Sequence, residues 1–157
     1  MTGLWRQEME SPLGRLQLSA SVQGLCEIHF PSTRQRSEVT SSCAILENAK
    51  QQLARYFQGQ LTRFRLPLDF CGTPFQNQVW QAVNQIPFGK LVSYADVARS
   101  IGRPRAARPV GGAVGKNPLP IVVPCHRVVG SDGSLTGFTG GLDIKIWLLQ
   151  WERARPD

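Results

Sequence analysis

The sequence predicts an α+β protein in two parts, a small antiparallel sheet with one helix over residues 1–72 and a helical part over residues 73–157. Three observations lead there. Apolar and polar residues alternate in the first third, the period of a half-buried strand. Apolar residues recur at helical spacing farther along. Near residue 72 the texture changes, because Thr73-Pro74 supplies a helix N-cap followed by proline at the first helical position.

Taken in order, residues 13–19 (LGRLQLS) and 25–30 (LCEIHF) read as strands joined through the turn-prone Ser21-Val22-Gln23-Gly24, a hairpin or meander. The polar residues 33–42 read as a loop, and 44–58 as a helix with Ile45, Leu46, Ala49, Leu53, Tyr56 and Phe57 at helical spacing before Gly59. Residues 64–70 (FRLPLDF) predict a further strand, which Pro67 confines to an edge or bulge because it has no N–H for a ladder.

In the second part a helix is expected through 76–85 with Val79, Trp80 and Val83 inward, broken by Pro87-Phe88-Gly89. Ser93 caps the next, 94–101, whose Asp96 suits the positive end of the helix dipole. After the turn at Gly102-Arg103-Pro104 a third helix covers 107–116, so 94–116 has the length of a helix-turn-helix with a basic second helix. Pro109 fits there only in the first turn. Gly111, Gly112 and Gly115 each cost a helix interior about 1 kcal/mol relative to alanine. Either close approach to a phosphate backbone or groove requires them, or packing on a neighbouring helix does. Residues 130–134 form a turn, and 135–141 (LTGFTGG) a loop suited to lining a pocket beside Cys125. The last helix, 142–153, carries Ile146, Trp147, Leu149 and Trp151 beside Glu152, which exposure statistics place in solvent.

With 41% hydrophobic and 18% charged residues the chain is globular, and no apolar run approaches the roughly 18 residues of a membrane span. The first residues lack an apolar signal region, so a cytoplasmic, reducing compartment is expected, nucleoid-associated in a prokaryote and nuclear in a eukaryote. Cys26, Cys43, Cys71 and Cys125 are then free thiols, the first three in buried structural roles. Cys26-Glu27-Ile28-His29 has half-site spacing for zinc with no second pair to complete it, so no metal and no cofactor are expected. The net charge of +7 favours a polyanion, and Arg99, Arg103, Arg105, Arg108 and Lys116 lie together with no acid between them.

Chemistry concentrates in residues 121–129 (IVVPCHRVV), which read as a buried strand interrupted by Pro124. His126 and Arg127 stand where a plain core strand would carry Val or Leu, and a titratable neighbour beside a thiol is the setting in which a thiolate is formed and aimed. Residues adjacent on a strand face opposite ways, so His126 either sits on a turn or reaches the thiol through a water. It then needs a carboxylate to fix its tautomer, and spacing alone does not name it.

PCHRVV following Asn117-Pro118-Leu119-Pro120-Ile121-Val122-Val123 resembles the active-site signature of O6-alkylguanine-DNA alkyltransferases. The likeness extends to SPLG at 11–14, TPFQ at 73–76, Ser93-Tyr94, AAR at 106–108 and GGL with K.WLL across 140–149. It implies a ribonuclease H-like first part and a winged-helix-like second part. It also implies irreversible, single-turnover transfer of an alkyl group from O6 of guanine, and from O4 of thymine, onto Cys125, with the base flipped out from the minor-groove side. By matching positions, His126 is the base acting through water, Glu152 its orienting carboxylate, Asn117 the brace of the turn and Tyr94 the phenol on guanine N3. The carbonyls of Cys125 and Val128 and the amide of Thr139 read the base edge, with Pro120 and Phe138 lining the pocket. Arg108 fills the vacated stack, and Ala106, Ala107, Gly111, Ser93 and Arg105 meet DNA. The implied partner is double-stranded DNA, met by a monomer, cooperatively or not, with no membrane involved. The family commonly has tyrosine at position 138 and alanine at 109, and Ser21 and Cys26 match vertebrate zinc ligands, so zinc is not carried over. Two other classes fit parts of the pattern: a non-catalytic sensor of alkylated DNA, which the cysteine disfavours, and an unrelated Cys-His hydrolase that turns over repeatedly.

Overall fold

The computed structural model describes residues 4–33, 39–135, 138 and 140–153. It divides into two compact units, Met1–Phe70 and Cys71–Asp157, beside the boundary expected near residue 72.

The first unit holds a three-stranded antiparallel sheet, β1 (Trp5–Ser11), β2 (Gly14–Ala20) and β3 (Leu25–His29), in the order β1-β2-β3. Strand β1 is absent from the sequence reading, since WRQEMES offers only a weak apolar alternation and is recruited by its neighbour. Its register with β2, from Trp5↔Ala20 to Ser11↔Gly14, is set by a tight turn. There the Ser11 hydroxyl donates to the Gly14 carbonyl at 2.7 Å and Gly14 takes φ +97°, open to glycine without strain. Helix α1 (Ala44–Phe57) covers the sheet with Leu46, Ala49, Leu53, Tyr56 and Phe57. Burying Leu53 fully contributes about 2 kcal/mol.

The strand expected at 64–70 shrinks to a single bridge, Leu25↔Leu68. Leu25 N–H donates to the Pro67 carbonyl at 2.8 Å and Asp69 N–H to the Leu25 carbonyl at 2.9 Å, but proline donates nothing and the ladder stops. Gly24 permits the approach, for a Cβ there would stand 2.7 Å from the Pro67 carbonyl. Residues 34–38 of the expected loop lie outside the described residues.

The second unit is helical: α2 (Pro74–Val83), α3 (Tyr94–Ser100), α4 (Ala107–Gly115) and α5 (Leu142–Arg153), with a short parallel pair β4 (Val92–Ser93) and β5 (Val128–Val129). Thr73 opens α2 through a capping box with Gln76, and Ser93 opens α3 through one with Asp96. Val79, Trp80 and Val83 face inward as expected, and the Trp80 indole N–H donates to the Ala113 carbonyl at 2.8 Å, tying α2 to α4. Pro109 lies in the first turn of α4, where its missing N–H breaks no helical bond.

The buried run 121–123 is not a strand. Ile121 takes φ +75°, Val123 N–H donates to the Leu119 carbonyl at 2.8 Å, and the chain turns into a 3-10 helix at Cys125–Arg127. Ile121, Val122 and Val123 are buried in the turn itself, so apolarity satisfied the surroundings while main-chain bonds chose the conformation. A β-branched residue in the left-handed region costs on the order of 1–3 kcal/mol, which the packing around it must offset. Two further expectations are corrected. Cys71 is exposed and Cys26 and Cys43 are half-buried, while Cys125 alone among the cysteines is buried. The inward stripe of α5 is Lys145, Leu148, Leu149 and Glu152; Ile146 is exposed and Trp147 and Trp151 stack on each other half-buried. Among the described residues no helix is long and apolar enough to cross a membrane.

Candidate active site

Pro124 ends the buried turn, and its carbonyl accepts from Arg127 N–H at 2.9 Å, closing the 3-10 turn of Cys125, His126 and Arg127. All three are buried, at 2%, 0% and 5% exposure. Asn117 braces the turn: its side-chain N–H donates to the Val123 carbonyl at 2.9 Å, and its oxygen accepts from Leu119 N–H at 3.0 Å. A third interaction of the same amide is with the Cys125 thiol.

The carboxylate left unnamed by spacing is Glu152, brought in by α5 at 2% exposure rather than solvated. Its Oε2 accepts from His126 Nε2 at 2.7 Å and from Arg127 Nη2 at 2.9 Å, and its Oε1 from Arg127 Nε at 2.8 Å. Gly89 N–H adds a longer bond to Oε1 at 3.5 Å. Arg127 therefore grips Glu152 with two parallel bonds, the geometry in which guanidinium–carboxylate pairs are strongest. It also donates to the Ile86 carbonyl and lies over the Phe88 ring, 5.7 Å from its centroid.

Burial works against ionisation of Glu152, but the bonds from His126 and Arg127 outweigh it and hold the carboxyl well below its ordinary range. Burial lowers His126, against the pull of Glu152, so the imidazole is neutral. With Nε2–H given to Glu152, the lone pair sits on Nδ1, which is buried and has no hydrogen-bond partner among the described residues. That nitrogen is the free base of the site. Burial pushes the Cys125 thiol up to about 11, and the Asn117 amide and Lys145 charge pull it down without prevailing. At neutral pH the resting group is a thiol, so the proton must be taken during reaction.

Lys145 enters the sequence analysis only as the K of K.WLL and is given no role there. It is fully buried on α5, donates from Nζ to the Val128 carbonyl at 2.9 Å, and its own pKa is lowered by burial against the attraction of Cys125. Its signal lay in the stripe 145, 148, 149, 152, spaced i, i+3, i+4 and i+7, which appears only if the two charged residues are counted as inward. With Glu152 matched by Arg127, Lys145 leaves a buried positive excess near the thiol, which favours an anion forming there.

Two sequence profiles cover the chain: residues 6–70 match the ribonuclease-like domain of 6-O-methylguanine DNA methyltransferase and residues 74–154 its DNA binding domain. A methylated-DNA–protein-cysteine methyltransferase of Methanosarcina barkeri is 45% identical over 92% of this chain and 94% of its own. The crystal structure of Mycobacterium tuberculosis O6-methylguanine methyltransferase is similar at 41% identity and TM-score 0.89, covering 98% of this chain and 95% of that one. A further structure of the mycobacterial protein, in complex with DNA, has TM-score 0.88 at 42% identity, with 96% and 93% coverage. The chain belongs to the O6-alkylguanine-DNA alkyltransferase family.

Of the residues that the alkyltransferase signature singles out, the structure brings Cys125, His126, Glu152 and Asn117 into one buried cluster. Val128 follows on β5, and Pro120 is buried in the preceding turn. Ser93 and Tyr94 lie at the start of α3, and Tyr94 faces Gly111, where a Cβ would stand 3.7 Å from its ring. Ala106 and Ala107 are half-buried at the start of α4, and Arg105 and Arg108 are exposed there, with no ion-pair partner among the described residues. Arg99, by contrast, is paired with Asp96, and Arg103 lies over the Phe75 ring. Phe138 is half-buried, whereas Thr139 lies outside the described residues. A Cβ on Gly112 or Gly115 meets nothing within 4 Å, which removes helix packing as the reason for those two glycines.

Proposed function

We propose that this chain repairs O6-alkylguanine, and O4-alkylthymine, in duplex DNA by moving the alkyl group irreversibly to Cys125. The observation that carries the reading is the buried Cys125, His126 and Glu152 cluster, in which His126 is held by its Nε2 and left with a free Nδ1. His126 takes the thiol proton through a water while sulfur attacks the alkyl carbon. The C–S bond forms, the C–O6 bond breaks, and a proton returns to the base as neutral guanine. Tyr94 donates to N3 and offsets charge on the departing base, with Asn117 and Lys145 supporting the developing thiolate. The thioether is a poor leaving group, so one chain serves one lesion.

A buried thiol reaches a base only if the nucleotide leaves the stack. Arg108 is the side chain that replaces it, and the exposed glycine face of α4 with Ala106, Ala107 and Gly111 is the surface that enters the minor groove, where only small residues fit. Val128 and Thr139 read the base edge, with Pro120 and Phe138 beside it. Intact-protein mass after incubation with O6-methylguanine duplex tests the reading. One methyl group on Cys125 and no more is expected, with none on a Cys125→Ser variant that still binds DNA. Repeated turnover by limiting protein would favour the hydrolase class instead.

A further inference from the structure

The first unit carries a cleft that the repair chemistry does not use. It lies between α1 and the segment after it, encloses about 360 Å³, and is lined by Asn48, Gln51 and Arg55 from the helix and by Thr62, Arg63 and Arg65 from the segment. Apart from Leu61, every lining side chain carries a hydrogen-bond donor. The three arginines are exposed and have no ion-pair partner among the described residues. From Asn48 to Leu68 the sequence contains no acidic residue.

The cleft is held in shape from beneath. Gln52, at 9% exposure, accepts from Arg65 N–H at 2.8 Å and donates to the Arg65 carbonyl at 3.0 Å and to Asn48 Oδ1 at 3.1 Å. Phe64 packs on Tyr56 with ring centroids 5.5 Å apart, so the segment is pinned to the core at the residue between Arg63 and Arg65. Arg63 and Arg65, on either side of it, are exposed. Cationic donors with no acid among them match phosphate oxygens, and guanidinium forks bind phosphate in bidentate fashion.

We infer that this cleft is a second phosphate-binding surface and that its occupant is the sugar-phosphate backbone of DNA. The inference rests on the reading that the chain works on DNA, and it adds a contact on the first unit independent of the reacting thiol. Phosphate contacts release counterions, so each one lost reduces the slope of log K against log salt by about 0.9. The test is a salt series of binding to undamaged duplex, by fluorescence anisotropy, with the full chain. The Arg63→Ala/Arg65→Ala pair should lower the slope by about two and weaken binding, and Arg63→Lys/Arg65→Lys should keep the slope. Arg15→Ala, on β2 outside the cleft, should change it less than Arg63→Ala alone. An unchanged slope in the alanine pair, or a loss matched by Arg15→Ala, overturns the inference. So does pyrophosphate binding to the wild-type cleft with no effect of the alanine pair on DNA, which would make the ligand a free phosphate. Reaction with free O6-benzylguanine should stay at the wild-type rate in every variant; its absence from the wild type as well would count against the repair reading instead.

Discussion

At Cys125 burial and charge act in opposite directions, and burial prevails, so the thiol rises to about 11. A group whose folded pKa exceeds its ordinary value stabilises the fold at pH below that value and loses the contribution as pH rises toward the folded pKa. Between pH 9.0 and about 11, wild type should therefore lose stability relative to Cys125→Ala, by about 3 kcal/mol in total. Denaturant unfolding across that range measures it, and parallel curves would contradict the assignment. His126 and Glu152 have lowered pKa values, so their contribution is full above 6.5 and falls away in acid. The same burial predicts the order of alkylation by iodoacetamide at neutral pH: exposed Cys71 first, Cys125 last. Removing the charge of Glu152 leaves Arg127 buried without its counter-charge. Glu152→Gln should cost about 3–5 kcal/mol and slow reaction with duplex and free base alike, whereas Glu152→Asp should recover part of both. Slowing confined to duplex DNA would mean that Glu152 serves DNA binding rather than thiol activation.

At the scale of the element, α4 spends helical stability on three glycines, of which Gly112 lies in the helix interior facing open space. Gly112→Ala should raise stability by up to about 1 kcal/mol, because alanine loses less backbone freedom and meets no neighbour. It should also weaken binding to duplex DNA, since the added methyl protrudes from the face proposed to enter the groove. Stabilisation with unchanged affinity would place that face away from DNA. Arg108→Ala separates extrusion from chemistry in the same helix. Repair in duplex should slow while reaction with free O6-benzylguanine stays near wild type, because only the duplex has a stack to fill. Equal losses on both substrates would reassign Arg108 to the pocket.

On the scale of the molecule, the reaction alters a buried site. Cys125 is 2% exposed and held in a turn braced by Asn117 and strained at Ile121. A methyl added to such a packed site costs about 1–3 kcal/mol, and for a chain of this length each 1 kcal/mol lowers Tm by roughly 2–4 °C. Methylated protein should therefore melt below free protein, and a larger alkyl group should lower Tm further. The strain presses on the segment joining Asn117 to the turn, next to α4, so spent protein should also hold DNA less tightly. Equal melting temperatures for samples shown by mass to be fully free and fully methylated would rule this out.

What was local in character was legible in the chain itself. The capping boxes at Thr73 and Ser93, the strands β2 and β3, the apolar stripe of α1 and the PCHRVV signature each depend on residues within a few positions of one another. Strand β1 was illegible because its partner supplies what its own pattern lacks, and the run 121–123 misled because burial asks for apolar residues without choosing strand or turn. The base and its carboxylate stand 26 residues apart; the helical spacing of 145, 148, 149 and 152 is compatible with Lys145 and Glu152 lying inward, but nothing in composition or periodicity says that two charged residues are buried or that Arg127 grips Glu152. Those three are charges whose burial is tolerable only once their partners are in place. Sequence alone thus determined which residue types and which signature the chain carries, and tertiary packing decided which charges leave water and therefore which groups can react.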